Sequence, residues 1–162
     1  MRCFYGIPYA KPPVGKYRFR HAEPFTGHFE PDFSAKQPSH SCPQIEIPQI
    51  RTTKTSEDCL YLNIFGKVGS VQKPVMVHIH GGGFITGSGT VIGWDHEILA
   101  MHGDVIVVSL NYRLGVFGFL YTEETEGNMG LTDIILALRW IKENIEDFGG
   151  ELALSIGWTN LV

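Results

Sequence analysis

The densest chemical signal in the sequence is His80-Gly81-Gly82-Gly83-Phe84, which directly follows the apolar run Val75-Met76-Val77-His78-Ile79. Three glycines let the backbone turn sharply, with N–H groups aimed outward and no side chain in the way. Donors held like that suit an anion or a developing oxyanion. An ordinary glycine turn fits the same residues, because glycine clusters mark loops first. A phosphate-binding loop does not fit, since no Gly-Lys-Ser/Thr follows. His78 and His80 are two apart and so face one side of a strand. They could pair on a metal, but no acidic or cysteine partner lies nearby in sequence. They read instead as hydrogen-bonded packing residues, and no metal or other cofactor is expected.

Arg113 follows Asn111-Tyr112 at the end of a second apolar run, Val105 to Leu110. It reads either as a buried, paired charge or as a surface arginine with a snorkelling stem. The three cysteines, Cys3, Cys42 and Cys59, lack the C-x-x-C spacing of a zinc site. Cys42 and Cys59 enclose sixteen residues rich in Pro, Ser, Thr and Lys. A disulfide and two free thiols fit that loop equally, because pairing follows the redox compartment rather than the spacing.

The elements that must hold these residues follow from periodicity. Residues 58–65 alternate apolar side chains at 60, 62 and 64, and 75–79 alternate at 75, 77 and 79, which predicts two strands. Residues 105–110 are apolar nearly throughout, as in a strand buried on both faces. A short helix is expected over 95–102, closed by Gly103. A long one is expected over about 132–148, with Thr132 or Asp133 as its cap and Ile134, Leu138, Ile141 and Ile145 as its apolar stripe. Strand, helix, strand, helix predicts an α/β fold with a parallel sheet. Eight of the nine prolines fall in residues 1–50, so that stretch should hold short strands and coil.

Composition narrows the function classes. Apolar residues are 43% and charged residues 19% of the 162, which excludes a disordered polyelectrolyte. A net charge of −4 argues against nucleic acid as a partner. No apolar run reaches the ~18–20 residues of a membrane span. The first residues, Met1 to Gly6, contain no apolar signal-peptide core.

Taken in order, the chain resembles the N-terminal part of a type-B carboxylesterase, the group that includes cholinesterases and neuroligins. The resemblance rests on Phe4-Tyr5-Gly6-Ile7-Pro8-Tyr9-Ala10, Pro12-Pro13-Val14-Gly15 with Arg18-Phe19, Cys42-Pro43-Gln44, and Glu57-Asp58-Cys59-Leu60-Tyr61-Leu62-Asn63-Ile64. It continues through His80 to Phe84, Asn111 to Leu120, Gly127-Asn128, Leu136 to Trp140, and Phe148-Gly149-Gly150. It implies the N-terminal part of an α/β-hydrolase fold, a mostly parallel central sheet with flanking helices, left incomplete. It implies a partial domain over 1–150 and a divergent tail over 151–162. It also implies a Cys42–Cys59 disulfide, a buried Arg18–Glu57 ion pair, and oxyanion donors at the backbone N–H groups of Gly82 and Gly83.

The departures are as informative. The family carries its serine in a G-x-S-x-G turn soon after the Phe-Gly-Gly run, and no G-x-S-x-G occurs in this sequence. None of the family's catalytic triad is therefore assigned here, and the chain alone is expected to be inactive. Its full-length parent would act on a small-molecule carboxylic ester and be secreted or extracellular. Residues 43–58 hold no aromatic side chain, so the tryptophan that cholinesterases use against choline is lacking. A general carboxylesterase is favoured, with a neuroligin-like adhesion protein or a non-functional truncation as alternatives. The isolated chain is further expected to aggregate, because strand 105–110 would be left with an uncovered edge.

Overall fold

A computed structural model describes residues 1–27, 33–47, 52, 54–91 and 95–158, with backbone alone for 152–158. Five strands form one sheet: β1 (Arg2–Pro8), β2 (Tyr61–Gly66), β3 (Lys73–Ile79), β4 (Ile106–Leu110) and β5 (Gly150–Trp158). Their spatial order is β1-β2-β4-β3-β5. β1 pairs antiparallel with β2, and β2 antiparallel with β4. β4 and β5 both run parallel to β3. Four strands thus point one way and only β2 is reversed.

Side-chain alternation decides the two faces. In β4, Ile106, Val108 and Leu110 join the larger core, together with Val75, Val77 and Ile79 of β3. Helix α3 (Met129–Asn144) covers that face with Ile134, Ala137 and Ile141. Val107 points the other way, towards Ala100 of helix α1 (His96–Gly103). A short helix, α2 (Gly115–Phe119), packs beside α3. Each fully buried aliphatic side chain in these layers contributes roughly 1.5–3 kcal/mol.

The chain leaves β3 towards α1 on one face, and leaves β4 towards α3 on the other. At the carboxyl ends of β3 and β4 the connections therefore diverge to opposite faces, the usual ligand position in an open α/β sheet. The glycine run His80 to Gly83 emerges at that point.

Several expectations are corrected. α3 begins at Met129 after Asn128 (φ 49°), and neither Thr132 nor Asp133 caps it. The Asp133 carboxylate is engaged by Arg113, while the Thr132 hydroxyl donates to the Met129 carbonyl. The left-handed residue ending α1 is Asp104 (φ 53°) rather than Gly103. Aspartate tolerates that conformation, and here its carboxylate also receives Lys73 at 2.5 Å and Lys67 at 3.3 Å. β4 has neighbours on both edges, β2 and β3, so the edge expected to be uncovered is paired. Strand β5 carries the backbone from Gly150 to Trp158, and residues 159–162 of the expected tail lie outside the described residues.

Candidate functional site

The glycine run leaves β3 in a conformation that only glycine accepts easily. Gly82 has φ 112° and Gly83 φ 58°. A Cβ on Gly82 would sit 2.2 Å from the Thr86 carbonyl oxygen. The Gly82 carbonyl turns inward, accepting the N–H groups of Ile85 at 3.1 Å and Thr86 at 3.2 Å. Among the described residues no acceptor takes the N–H of Gly82 or Gly83. Two successive amides so held can stabilise a negative oxygen that forms beside them.

The segment that follows β4 braces this loop. His80 is 1% exposed, and its ring stacks on Tyr112 with centroids 4.4 Å apart. The Tyr112 hydroxyl donates to the His80 carbonyl at 3.0 Å. Nδ1 of His80 lies 2.9 Å from the Gly81 carbonyl, which only accepts, so the proton sits on Nδ1. Burial lowers the His80 pKa to about 4, so the ring is neutral at pH 7. Further along the loop, Asn111 Oδ1 accepts from the Gly89 N–H at 2.8 Å and the Ser88 hydroxyl at 3.0 Å. The Phe84 carbonyl accepts from the Gly115 N–H at 2.7 Å.

His78, on the opposite side of the sheet from the main core, meets His96 of α1 at 2.9 Å. Burial first, then the neighbouring imidazoles, lowers the His78 pKa to about 3. Burial also lowers His96. They form a neutral hydrogen-bonded pair. No group of three His, Cys, Asp or Glu side chains suited to a metal occurs among the described residues.

Arg113 resolves as a buried charge. It donates through Nε to Asp133 Oδ2 at 2.8 Å and through Nη2 to Oδ1 at 2.6 Å, and its Nη1 reaches the Arg20 carbonyl at 2.8 Å. The Asp133 side chain is 0% exposed. Burial pushes its carboxyl up, and the bonds from Arg113 oppose that. Arg18 and Glu57 are joined by two 2.6 Å bonds, but their side chains are 43% and 25% exposed. That pair is not buried: it lies at the rim, against Phe117. Cys42 and Cys59 are bridged, and Cys3 is free. The sequence reading made Asp133 a helix cap and gave no role to Asn111 or Gln44, although all three hold the residues around the glycine turn. Gln44 and Asn111 stood inside the runs Cys42-Pro43-Gln44 and Asn111-Tyr112-Arg113, the one signal that could have found them.

Residues 1–153 match the Carboxylesterase family. The chain belongs to the carboxylesterase family. It is 46% identical over 155 residues to the para-nitrobenzyl esterase of Bacillus subtilis (strain 168), covering 90% of this chain and 32% of that relative. It is 43% identical over 165 residues to acetylcholinesterase 1 of Caenorhabditis elegans, covering 93% of this chain and 26% of the relative. A solved thermophilic PNB esterase superposes with a TM-score of 0.91 at 42% identity, over 98% of this chain and 35% of that one. The α/β-hydrolase architecture is thus shared along nearly all of these 162 residues and over about a third of that esterase. The chain spans about a third or less of the relatives it matches. No helix among the described residues is long and apolar enough to cross a membrane.

Proposed function

We propose that this chain is the oxyanion-stabilising portion of a carboxylic ester hydrolase, with the backbone N–H groups of Gly82 and Gly83 as the donors. The observation that carries this reading is the pair of amides without an acceptor at the carboxyl end of β3. In the parent, a serine hydroxyl attacks the ester carbonyl, and the carbonyl oxygen takes up negative charge beside the two glycines. Collapse expels the alcohol and leaves an acyl-serine, which water hydrolyses through a second oxyanion in the same place. The serine is supplied from outside these 162 residues, since no G-x-S-x-G occurs within them, and the family resemblance places the acid and the histidine after it. The chain alone does not turn over esters. Residues 43–58 present no aromatic face, which supports a neutral carboxylic ester over a choline ester; residues 48–51 and 53 of that loop lie outside the described ones. The Cys42–Cys59 bridge supports an oxidising, extracytoplasmic compartment for the parent. The adhesion alternative gains no support from the relatives named above.

The test uses the 162-residue chain and a fusion of residues 1–150 to the complementary part of the Bacillus para-nitrobenzyl esterase. The chain is expected to leave p-nitrophenyl acetate at its background rate and to stay unlabelled by a fluorophosphonate probe. The fusion is expected to hydrolyse and to label. Turnover by the chain itself, abolished by labelling of one serine, overturns the inactivity. A folded fusion that labels stoichiometrically yet loses nothing when Gly83→Pro removes one donor and forces the turn out of its φ of 58° overturns the oxyanion assignment.

A further inference from the structure

We propose that Gln44 is a positioning residue for the oxyanion loop, tying the loop to the disulfide-anchored segment; this rests on the oxyanion reading of Gly82 and Gly83. The Gln44 side chain spends its whole hydrogen-bonding capacity on this task. Its Oε1 accepts the Gly87 N–H at 2.8 Å and the Thr86 hydroxyl at 3.0 Å. Its Nε2 donates to the Gly87 carbonyl at 2.8 Å and the Cys42 carbonyl at 3.0 Å. A primary amide offers two donors and one carbonyl acceptor with two lone pairs, and all are used. The orientation is fixed by the partners: a flipped amide would set N–H against the Gly87 N–H and oxygen against the Gly87 carbonyl. The side chain therefore grips Gly87 as a neighbouring strand would, through both its N–H and its C=O. The next residue adds a third hold, as the Ile45 N–H donates to the Ile85 carbonyl at 3.1 Å.

What Gln44 grips is the part of the loop that shapes Gly82. The N–H groups of Ile85 and Thr86 close on the Gly82 carbonyl, and the Thr86 carbonyl lies so close that Gly82 admits no Cβ. Gly87 in turn lies against His80: a Cβ there would fall 2.3 Å from His80 Nδ1. Thr86 and Gly87 thus form the wall on which the Gly82–Gly83 turn is folded. Gln44 fixes that wall from a segment whose own anchor, Cys42, is buried and bridged to Cys59 just before β2. The amide orients the donors without touching the substrate.

The experiment pairs amide exchange in the full 162-residue chain with kinetics in the fusion described above. Gln44→Met keeps the volume and removes all four bonds. It is expected to speed exchange at Thr86 and Gly87 at least about tenfold while β4 amides 106–110 stay unchanged, as for a local opening. In the fusion it is expected to lower kcat about 10–100-fold with little change in KM, short of the 10²–10³ of a deleted oxyanion donor. Gln44→Glu keeps the acceptor and loses the donor. Its deficit relative to the parent is expected to shrink as the pH falls, because the protonated acid again donates to the Gly87 carbonyl. Unchanged loop exchange and kcat in Gln44→Met, in a fusion that Gly83→Pro does impair, overturns the positioning role alone. An equal loss in KM and kcat, or exchange that rises across β4 as well, overturns it in favour of general stability. If Gly83→Pro impairs nothing, the oxyanion reading fails separately.

Discussion

The ring of Tyr112, two residues past β4, lies flat on the ring of His80, just past β3, while its hydroxyl caps the His80 backbone carbonyl. One side chain so joins the carboxyl ends of the two central strands and seals the imidazole from water. The consequence is a pH dependence with a definite sign. The folded pKa values of His80 and His78 stand at about 4 and about 3, below the ordinary 6.5. Groups held neutral by folding contribute stability that is full above the unfolded pKa and is lost as pH falls through the folded one. Urea midpoints are expected to be flat above pH 7 and to fall steadily from 6.5 towards 4. A shift from 6.5 to about 4 corresponds to about 3 kcal/mol for His80 alone. A midpoint that rises on acidification over that range would contradict the buried neutral imidazoles.

Asp133→Asn should be among the most damaging single changes. It leaves the Arg113 guanidinium, 3% exposed, without its counter-charge. Removing one partner of a buried pair costs about 3–5 kcal/mol. The double variant Arg113→Met with Asp133→Leu is expected to recover much of that loss, and denaturant unfolding of the cycle measures it. Glu57→Gln at the exposed Arg18 pair should move the midpoint little. Equal losses at the two pairs would contradict the difference in burial.

The Cys42–Cys59 bridge closes a sequence separation of 17 residues. Replacing both cysteines by serine is expected to cost about 3 kcal/mol, mostly by freeing the unfolded chain. Burial, and then the charge of Glu97, raises the Cys3 thiol, which keeps it protonated and slow to exchange. Non-reducing peptide mapping of oxidised protein should return Cys42–Cys59 as the main species. A dominant linkage through Cys3 would sink this assignment.

Neighbouring glycines should respond very differently to one methyl group. A Cβ at Gly83 meets nothing nearer than Ile85 Cγ1 at 4.0 Å, so Gly83→Ala bears only the left-handed backbone strain of about 1–2 kcal/mol. Gly82→Ala must in addition push back the Thr86 carbonyl, 2.2 Å away. Heat denaturation should rank Gly82→Ala well below Gly83→Ala, with faster exchange at Thr86. Equal effects would mean that the loop does not fold against Thr86.

Local features of the fold were legible because they depend on few residues. Alternation at 75, 77 and 79 gives β3, and the glycines mark the turn that ends it. The stripe Ile134, Ile141 and Ile145 is buried, with Leu138 packed against the same core. What escaped depends on partners far along the chain. Asp133 reads as a helix cap until Arg113, 20 residues earlier, claims it. Gln44 looks like loop filler until Gly87, 43 residues later, arrives beside it. The Arg18–Glu57 pair was found, yet its exposure was misjudged, because burial depends on what covers a pair rather than on the pair itself. The strand at 150–158 also alternates, with apolar residues at 152, 154, 156 and 158, but the reading of 151–162 as a divergent tail hid it, and pairing with β3 defines it.

The supports of the glycine turn share one further property: their position in the order of synthesis. Gln44, Asn111, Tyr112 and Gly115 all precede residue 120. Because protein chains fold from the N-terminus as they emerge, the contacts that shape these amides become available before α3 or β5 leaves the ribosome. Under the proposed oxyanion role, most of the contacts that shape the donors are then available ahead of α3, whose Asp133 completes the arrangement on Arg113.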